Sequence, residues 1–133
     1  MTSLKPNSDE TNISNLKMYI AVNGNIKMSK GKMASQVGHA INILVYNYTK
    51  HKNFSIRNLM RIYMEGEIKK IILKTSQSTL EKLEQEGFIS VRDKGYTELE
   101  PNTITCVNLG ILSDINNALE DFEFINGEDF KLY

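Results

Sequence analysis

Two short apolar runs of β-forming residues, Lys17–Asn23 and Ile68–Lys74, are separated by a long stretch with helical periodicity. That arrangement constrains the fold more than any other feature of the chain. Strands joined by so long a crossover favour parallel pairing, with the intervening helices packed on the sheet. Ser29 is placed to cap the first helix, because its hydroxyl can accept from an unpaired amide two or three residues on. From there Ala34, Val37, Ile41, Leu44, Val45 and Tyr48 recur at helical spacing, predicting a core-facing stripe out to about Lys50. A second short helix fits Ser55–Met64, with Ile56, Leu59, Met60 and Tyr63 on one side.

Beyond the second strand, Ser78-Thr79-Leu80-Glu81 has the pattern of a capping box, and the helix it opens carries Leu80 and Leu83 and stops at Gly87. Phe88–Arg92 reads as a third strand, Asp93-Lys94-Gly95 as a turn, and Thr103–Leu109 as a fourth strand. Ser113 is expected to cap a last helix bearing Ile115, Ala118, Leu119 and Phe122. The turn-linked third and fourth strands suit antiparallel pairing. The expectation is an α/β fold: a single three-layer α/β/α domain over residues 17–133 with a four-stranded mixed sheet. Residues 1–16, polar and without a core of their own, are expected to form a flexible N-terminal arm.

At 133 residues and 41% apolar content, the chain suits one globular domain. No apolar run is long enough to span a bilayer. The polar start lacks the apolar segment of a secretory signal, so the cytoplasm is the expected compartment. A single cysteine, Cys106, excludes an internal disulfide framework.

The formal net charge is zero, yet it is distributed unevenly. Residues 17–74 hold eleven Lys or Arg against two acids, a net +9, and residues 75–133 hold four against twelve, a net −8. Such asymmetry suits a polyanion partner, unless folding interleaves the halves and neutralises them.

Lys27, Lys30 and Lys32 fall just before or within the first turn of the long helix. A helix N-terminus carries partial positive charge and disfavours a cation by about 0.3–1 kcal/mol. An anion docked there would reverse that cost, since free amides, the dipole and the ammonium groups converge on it. The alternative is a solvated basic loop. The segment is not a nucleotide-binding P-loop: Gly31-Lys32 is followed by Met33, and Ile26 stands where glycine is required. Lys32, Gln36 and His39 share one stripe of the helix.

A second polar group comprises Asp93, Thr97, Thr103 and Thr105. Strict alternation puts Thr103 and Thr105 on one face of their strand and Cys106 on the other. Strand ends are where ligands usually bind in α/β sheets, so this group could meet the lysine-bearing helix start. The two histidines and one cysteine are too scattered to predict a metal site.

The segment Lys27-Met28-Ser29-Lys30-Gly31-Lys32-Met33-Ala34-Ser35-Gln36-Val37-Gly38-His39-Ala40 resembles the Lys-Met-Gly-Lys-Gly-Lys-x-Ala-Ala-Gln-x-x-His-Ala signature of type II peptidyl-tRNA hydrolases. Asp93-Lys94-Gly95-Tyr96-Thr97-Glu98-Leu99-Glu100-Pro101-Asn102-Thr103-Ile104-Thr105-Cys106 is similar to that family's second signature, Asp-Ala-Gly-x-Thr-Gln-x-x-x-Gly-Thr-x-Thr. The similarity runs from about Lys17 to the C-terminus. It implies hydrolysis of the ester between a peptide and the ribose at the tRNA 3′ end, by an enzyme without metal or cofactor. The family's functional positions fall on Lys32, Asp93, Thr97 and Thr105, and Gln36 and His39 also match. Lys27, Lys30, Gln36 and His39 are the residues expected to contact tRNA, with the basic 50–61 stretch gripping its backbone. A homodimer is an admitted assembly. The chain departs from the family pattern at Asn25, Ser29, Glu98 and Asn102. Asn25 and Glu98 favour a rival reading, an adaptor of the same fold that binds tRNA or protein without chemistry; a small phosphate binder is a third.

Overall fold

The central strand of the sheet is buried at every position from Met18 to Asn23, so layers must cover it on both faces. In a computed structural model of the protein, which describes residues 3, 15–95, 99–113, 115 and 129–133, strand β1 spans Lys17–Asn23 and helix α1 Lys30–Thr49. They are followed by α2 (Phe54–Glu65), β2 (Lys69–Thr75), α3 (Gln77–Gln85), β3 (Ile89–Arg92), β4 (Ile104–Leu112) and β5 (Lys131–Leu132). The strand order is β3-β4-β1-β2-β5. The predicted parallel pair is there, with Lys17 opposite Lys69 and Asn23 opposite Thr75. The pairs β1–β4 and β3–β4 are antiparallel. The sheet has five strands rather than four because the two-residue β5 adds itself to β2 at Leu73 and Lys74.

Alternation along β1 divides the core. Met18, Ile20 and Val22 join Ala40, Leu44 and Tyr48 of α1 and Ile56, Met60 and Tyr63 of α2 on one face. Tyr19 and Ala21 join Leu80 and Leu83 of α3, with Phe88, on the other. This is the expected three-layer order. Burying each such aliphatic side chain contributes roughly 1.5–3 kcal/mol.

Several local expectations shift. The buried line of α1 is Gln36, Ala40, Leu44 and Tyr48, an i+4 series, and Ala34 is exposed. An apolar-only reading of the stripe missed the polar residue that begins it. The cap of α3 is Ser76, whose hydroxyl accepts from the Thr79 amide, two residues before the predicted box. Gly87 does adopt a left-handed conformation, with φ of 94°. The second helix begins at Phe54, one residue before the expected Ser55, and Asn53 caps it, its side-chain oxygen accepting from the Ser55 amide at 2.8 Å. Most of the predicted last helix lies outside the described residues.

The most consequential shift is in β4. Its pairing with β3 slips by one residue between Val91 and Arg92, so that Cys106 faces Val91 while Ile104 faces Arg92. Thr105 is the extra residue, a β-bulge. Thr105 and Cys106 therefore do not point to opposite faces. Both meet Gln36 of α1, the threonine at its side-chain oxygen and the thiol at its backbone carbonyl.

Candidate active site

Helix α1 delivers three of the site's side chains because Ser29 fixes where it starts. The Ser29 hydroxyl accepts from the Lys32 amide at 3.1 Å, which sets Lys32 in the first turn, with Gln36 one turn on and His39 nearly two. The Lys32 ammonium meets the Asp93 carboxylate in a direct ion pair. Lys32 is 13% exposed and Asp93 5%, so the pair is largely withdrawn from water. The anion that answers this lysine is thus internal. The expected external anion applies only to Lys27 and Lys30, which are exposed.

Asp93 is held from several sides. Its amide donates to the Thr103 carbonyl at 2.8 Å, and its own carbonyl accepts from Asn102 at 2.6 Å. Its second carboxylate oxygen accepts from the Gly95 amide at 2.8 Å. Gly95 has φ of 80°, and a Cβ there would lie 2.6 Å from the Pro101 ring, so this turn needs glycine. The Lys32 contact holds the Asp93 carboxyl below the usual carboxylate range; amide donation from Gly95 and Lys94 adds to this, and burial opposes it.

Arg92 anchors the base of the same loop. Its guanidinium donates twice to Glu84 of α3, at 2.6 and 2.9 Å, and once to the Asn102 carbonyl at 2.7 Å. Ser90 donates to the same carboxylate at 2.6 Å. Hydrogen bonding from Arg92 in turn lowers the Glu84 carboxyl from its ordinary value.

Thr105 is completely buried. Its hydroxyl has one proton to serve two acceptors, Gln36 Oε1 at 2.7 Å and the Val91 carbonyl at 3.1 Å. It tethers α1 to the β3–β4 edge, behind the ion pair. Cys106 is equally buried, and burial pushes its thiol up to about 12, which makes it a poor nucleophile.

A groove of about 680 Å³ runs between α1 and the β3 edge, lined by Lys32, Ser35, Gln36, His39, Asn42 and Ile43 from the helix and by residues 90–94 from the strand and loop. That volume suits a small ligand or the end of a larger one. Of the residues singled out from sequence, Lys32, Asp93, Gln36 and His39 line it, and Thr105 sits behind its wall. Lys27 and Lys30 are not in its lining. Thr97 and Glu98 lie outside the described residues. Ser35, Asn42 and Arg92 were missed; Ser35 and Asn42 stand three residues beyond Lys32 and His39, so helical spacing alone could have found them. Asn25 is not in the groove lining. Its side chain accepts from the Gln77 amide at 2.7 Å, at the start of α3 on the other side of the sheet. Among the described residues, no three His, Cys, Asp or Glu side chains converge as metal donors would.

An α/β sheet whose open edge presents a lysine–carboxylate pair to a groove has the equipment of a hydrolase that works by charge and proton transfer. The profile of the family described as peptidyl-tRNA hydrolase PTH2 matches residues 16–124, and the chain belongs to that family. It is similar to a peptidyl-tRNA hydrolase of Saccharolobus solfataricus, with 36% identity over 102 residues covering 71% of this chain and 85% of that one. A protein of the same name from Thermoplasma volcanium is 32% identical, covering 71% of this chain and 84% of that one.

Proposed function

We propose that this protein hydrolyses the ester linking a peptide to the 3′-terminal ribose of tRNA, releasing free tRNA and a peptide acid. The observation that carries the reading is the Lys32–Asp93 pair at the groove, formed from two sequence motifs 61 residues apart. Family membership supports the same reaction.

In this reading Asp93 accepts a hydrogen bond from the attacking water. A carboxylate held at low pKa is a weak resting base. The water becomes far more acidic as its oxygen bonds the ester carbon, and Asp93 takes the proton at that stage. Lys32 stabilises the negative charge that develops on the carbonyl oxygen. Collapse of the tetrahedral intermediate breaks the bond to the ribose oxygen, which receives the proton. The Thr97 hydroxyl, four residues beyond Asp93, shares in orienting the water. Thr105, expected among the catalytic groups, acts here as a positioning residue: buried beneath Gln36, it fixes the helix that carries Lys32. His39 and Gln36 contact the tRNA end in the groove, and Lys27 and Lys30 hold phosphates at the helix start. The reaction belongs in the cytoplasm, where tRNA is charged and used; no helix among the described residues is long and apolar enough to cross a membrane.

The test is release of tRNA from N-acetyl-aminoacyl-tRNA beside free aminoacyl-tRNA. Selective cleavage of the blocked ester is expected. Tight binding without cleavage would favour the adaptor, and absence of both binding and cleavage would overturn the tRNA reading.

A further inference from the structure

The helical stripe that lines the groove does not end there. His39, Asn42 and Ile43 are followed at helical spacing by Tyr46 and Lys50, all exposed. Lys50 lies about 27 Å from Lys32 along the helix axis, at 1.5 Å per residue. That exceeds the reach of a single terminal nucleoside, so only another part of an RNA whose 3′ end occupies the groove could touch this end of α1.

At this corner α1 turns into α2, and aromatic rings stand in the open beside cations. Tyr46 is 60% exposed and Phe54 68%. The Lys50 ammonium sits 4.3 Å from the Tyr46 ring centre and donates to its hydroxyl at 3.0 Å. The Arg57 guanidinium lies 5.7 Å from the Phe54 ring centre. Arg57 also donates to the carbonyls of His51 and Lys52, at 2.6 and 3.0 Å, which braces the turn. No Asp or Glu occurs between Thr11 and Met64, so neither helix offers an acid near the corner before Glu65, and that one pairs with Arg61. Exposed rings beside cations are the elements by which proteins hold single-stranded nucleic acid: bases stack on the rings, and cations follow the phosphates.

We infer that the Tyr46–Lys50–Lys52–Phe54 corner is a second RNA contact, where an unpaired base of the same tRNA stacks on Phe54 and the lysines bind its flanking phosphates. This rests on the tRNA reading of the groove and extends it. The corner recognises the body of the tRNA rather than the ester.

Two variants test it in the full chain, Lys50→Ala/Lys52→Ala and Phe54→Leu, with Arg57 left to brace the turn. The leucine keeps apolar character and removes the stacking face. Binding of deacylated tRNA should weaken roughly tenfold in each, a 1.4 kcal/mol equivalent. The salt dependence of binding should flatten in the lysine variant by about 0.9 in log–log slope for each phosphate that is no longer neutralised. The N-acetyl-aminoacyl ester of the trinucleotide CCA, too short to reach the corner, should turn over as with the unchanged protein.

Equal losses on the short and full substrates, or no loss on either, would overturn the inference. So would a switch in sedimentation from dimer to monomer in these variants, which would assign the corner to a second copy. Competition by polyglutamate as strong as by single-stranded RNA would assign it to an acidic protein and also overturn it. Because binding of deacylated tRNA needs no chemistry, a protein that binds normally but cleaves nothing would contradict the hydrolase reading and leave this inference standing.

Discussion

The two helical layers of this protein carry opposite charge. The layer of α1 and α2 holds six Lys or Arg between Lys30 and Met64 and no acid, while the other, from Ser76 to Gly87, holds Glu81, Glu84 and Glu86 against Lys82. A net charge of zero for the chain therefore hides two described helical layers of opposite sign. Helix α3 spends its acid internally: Glu84 clamps Arg92 and so steadies the loop that bears Asp93. Helix α1 uses one of its cations internally, on Asp93, and leaves the rest to solvent. The site forms at the β3 edge, Lys32 coming from the basic layer and Asp93 from the loop that α3 holds through Arg92. The difference teaches that one layer holds the carboxylate loop while the other leaves most of its cations exposed, as the proposed tRNA reading requires.

The comparison breaks first at Lys32. Lys32→Ala should lower turnover of N-acetyl-aminoacyl-tRNA by roughly 10²–10³-fold, the range for loss of an oxyanion-stabilising group. Retained turnover would remove the basic layer from the chemistry. Next comes Gly95→Ala, which forces a side chain against Pro101 at a positive φ. It should cost roughly 1–3 kcal/mol in denaturant unfolding and lower activity through Asp93. A third test compares the layers directly. Lys52→Glu on the basic side should raise KM for full-length N-acetyl-aminoacyl-tRNA about tenfold, whereas Glu86→Lys on α3 should leave KM within twofold. Equal effects would mean that the molecule responds to net charge alone.

The pH dependence sharpens the same point. The Asp93 pKa is depressed by Lys32 in the folded state, so the pair's contribution is present above the unfolded carboxylate value. It is lost only as pH falls through the lower folded value. The acid limb of stability should accordingly lie below about 3.9, and should move up toward neutrality in Lys32→Ala. The smallest effect is expected at Asn25, on the α3 side. Asn25→Asp puts a carboxylate at a helix N-terminus, adding about 0.3–1 kcal/mol to stability with kcat unchanged. A change in kcat would instead link that residue to the groove.

Much of this was legible in the sequence, and the exceptions share a cause. The boundaries of β1 and α1 follow from local signals, a β-forming run and a serine cap, and local signals survive folding. The approach of Lys32 to Asp93 was suggested by strand-end topology. The parity of Thr105 and Cys106 was not readable, because a bulge inserts one residue against a partner strand that the sequence of β4 does not name. Ser76 and Ser78 both fit a cap, and only the end of β2 decides between them. Gln36 was read as a polar groove residue and Ala34 as core. The helix phase is set by Ala40, Leu44 and Tyr48 against the sheet, and that phase buries Gln36 and exposes Ala34.

The central claim, that Asp93 drives water onto the ester while Lys32 answers it, is tested most directly by the single-turnover rate of Asp93→Asn. Saturating enzyme on N-acetyl-aminoacyl-tRNA separates chemistry from binding. The amide keeps the shape and the Gly95 contact but can neither take the proton nor pair with the ammonium. The account predicts a fall of about 10²–10⁴-fold in that rate, with tRNA binding retained. A rate within a few-fold of the unchanged protein would contradict it.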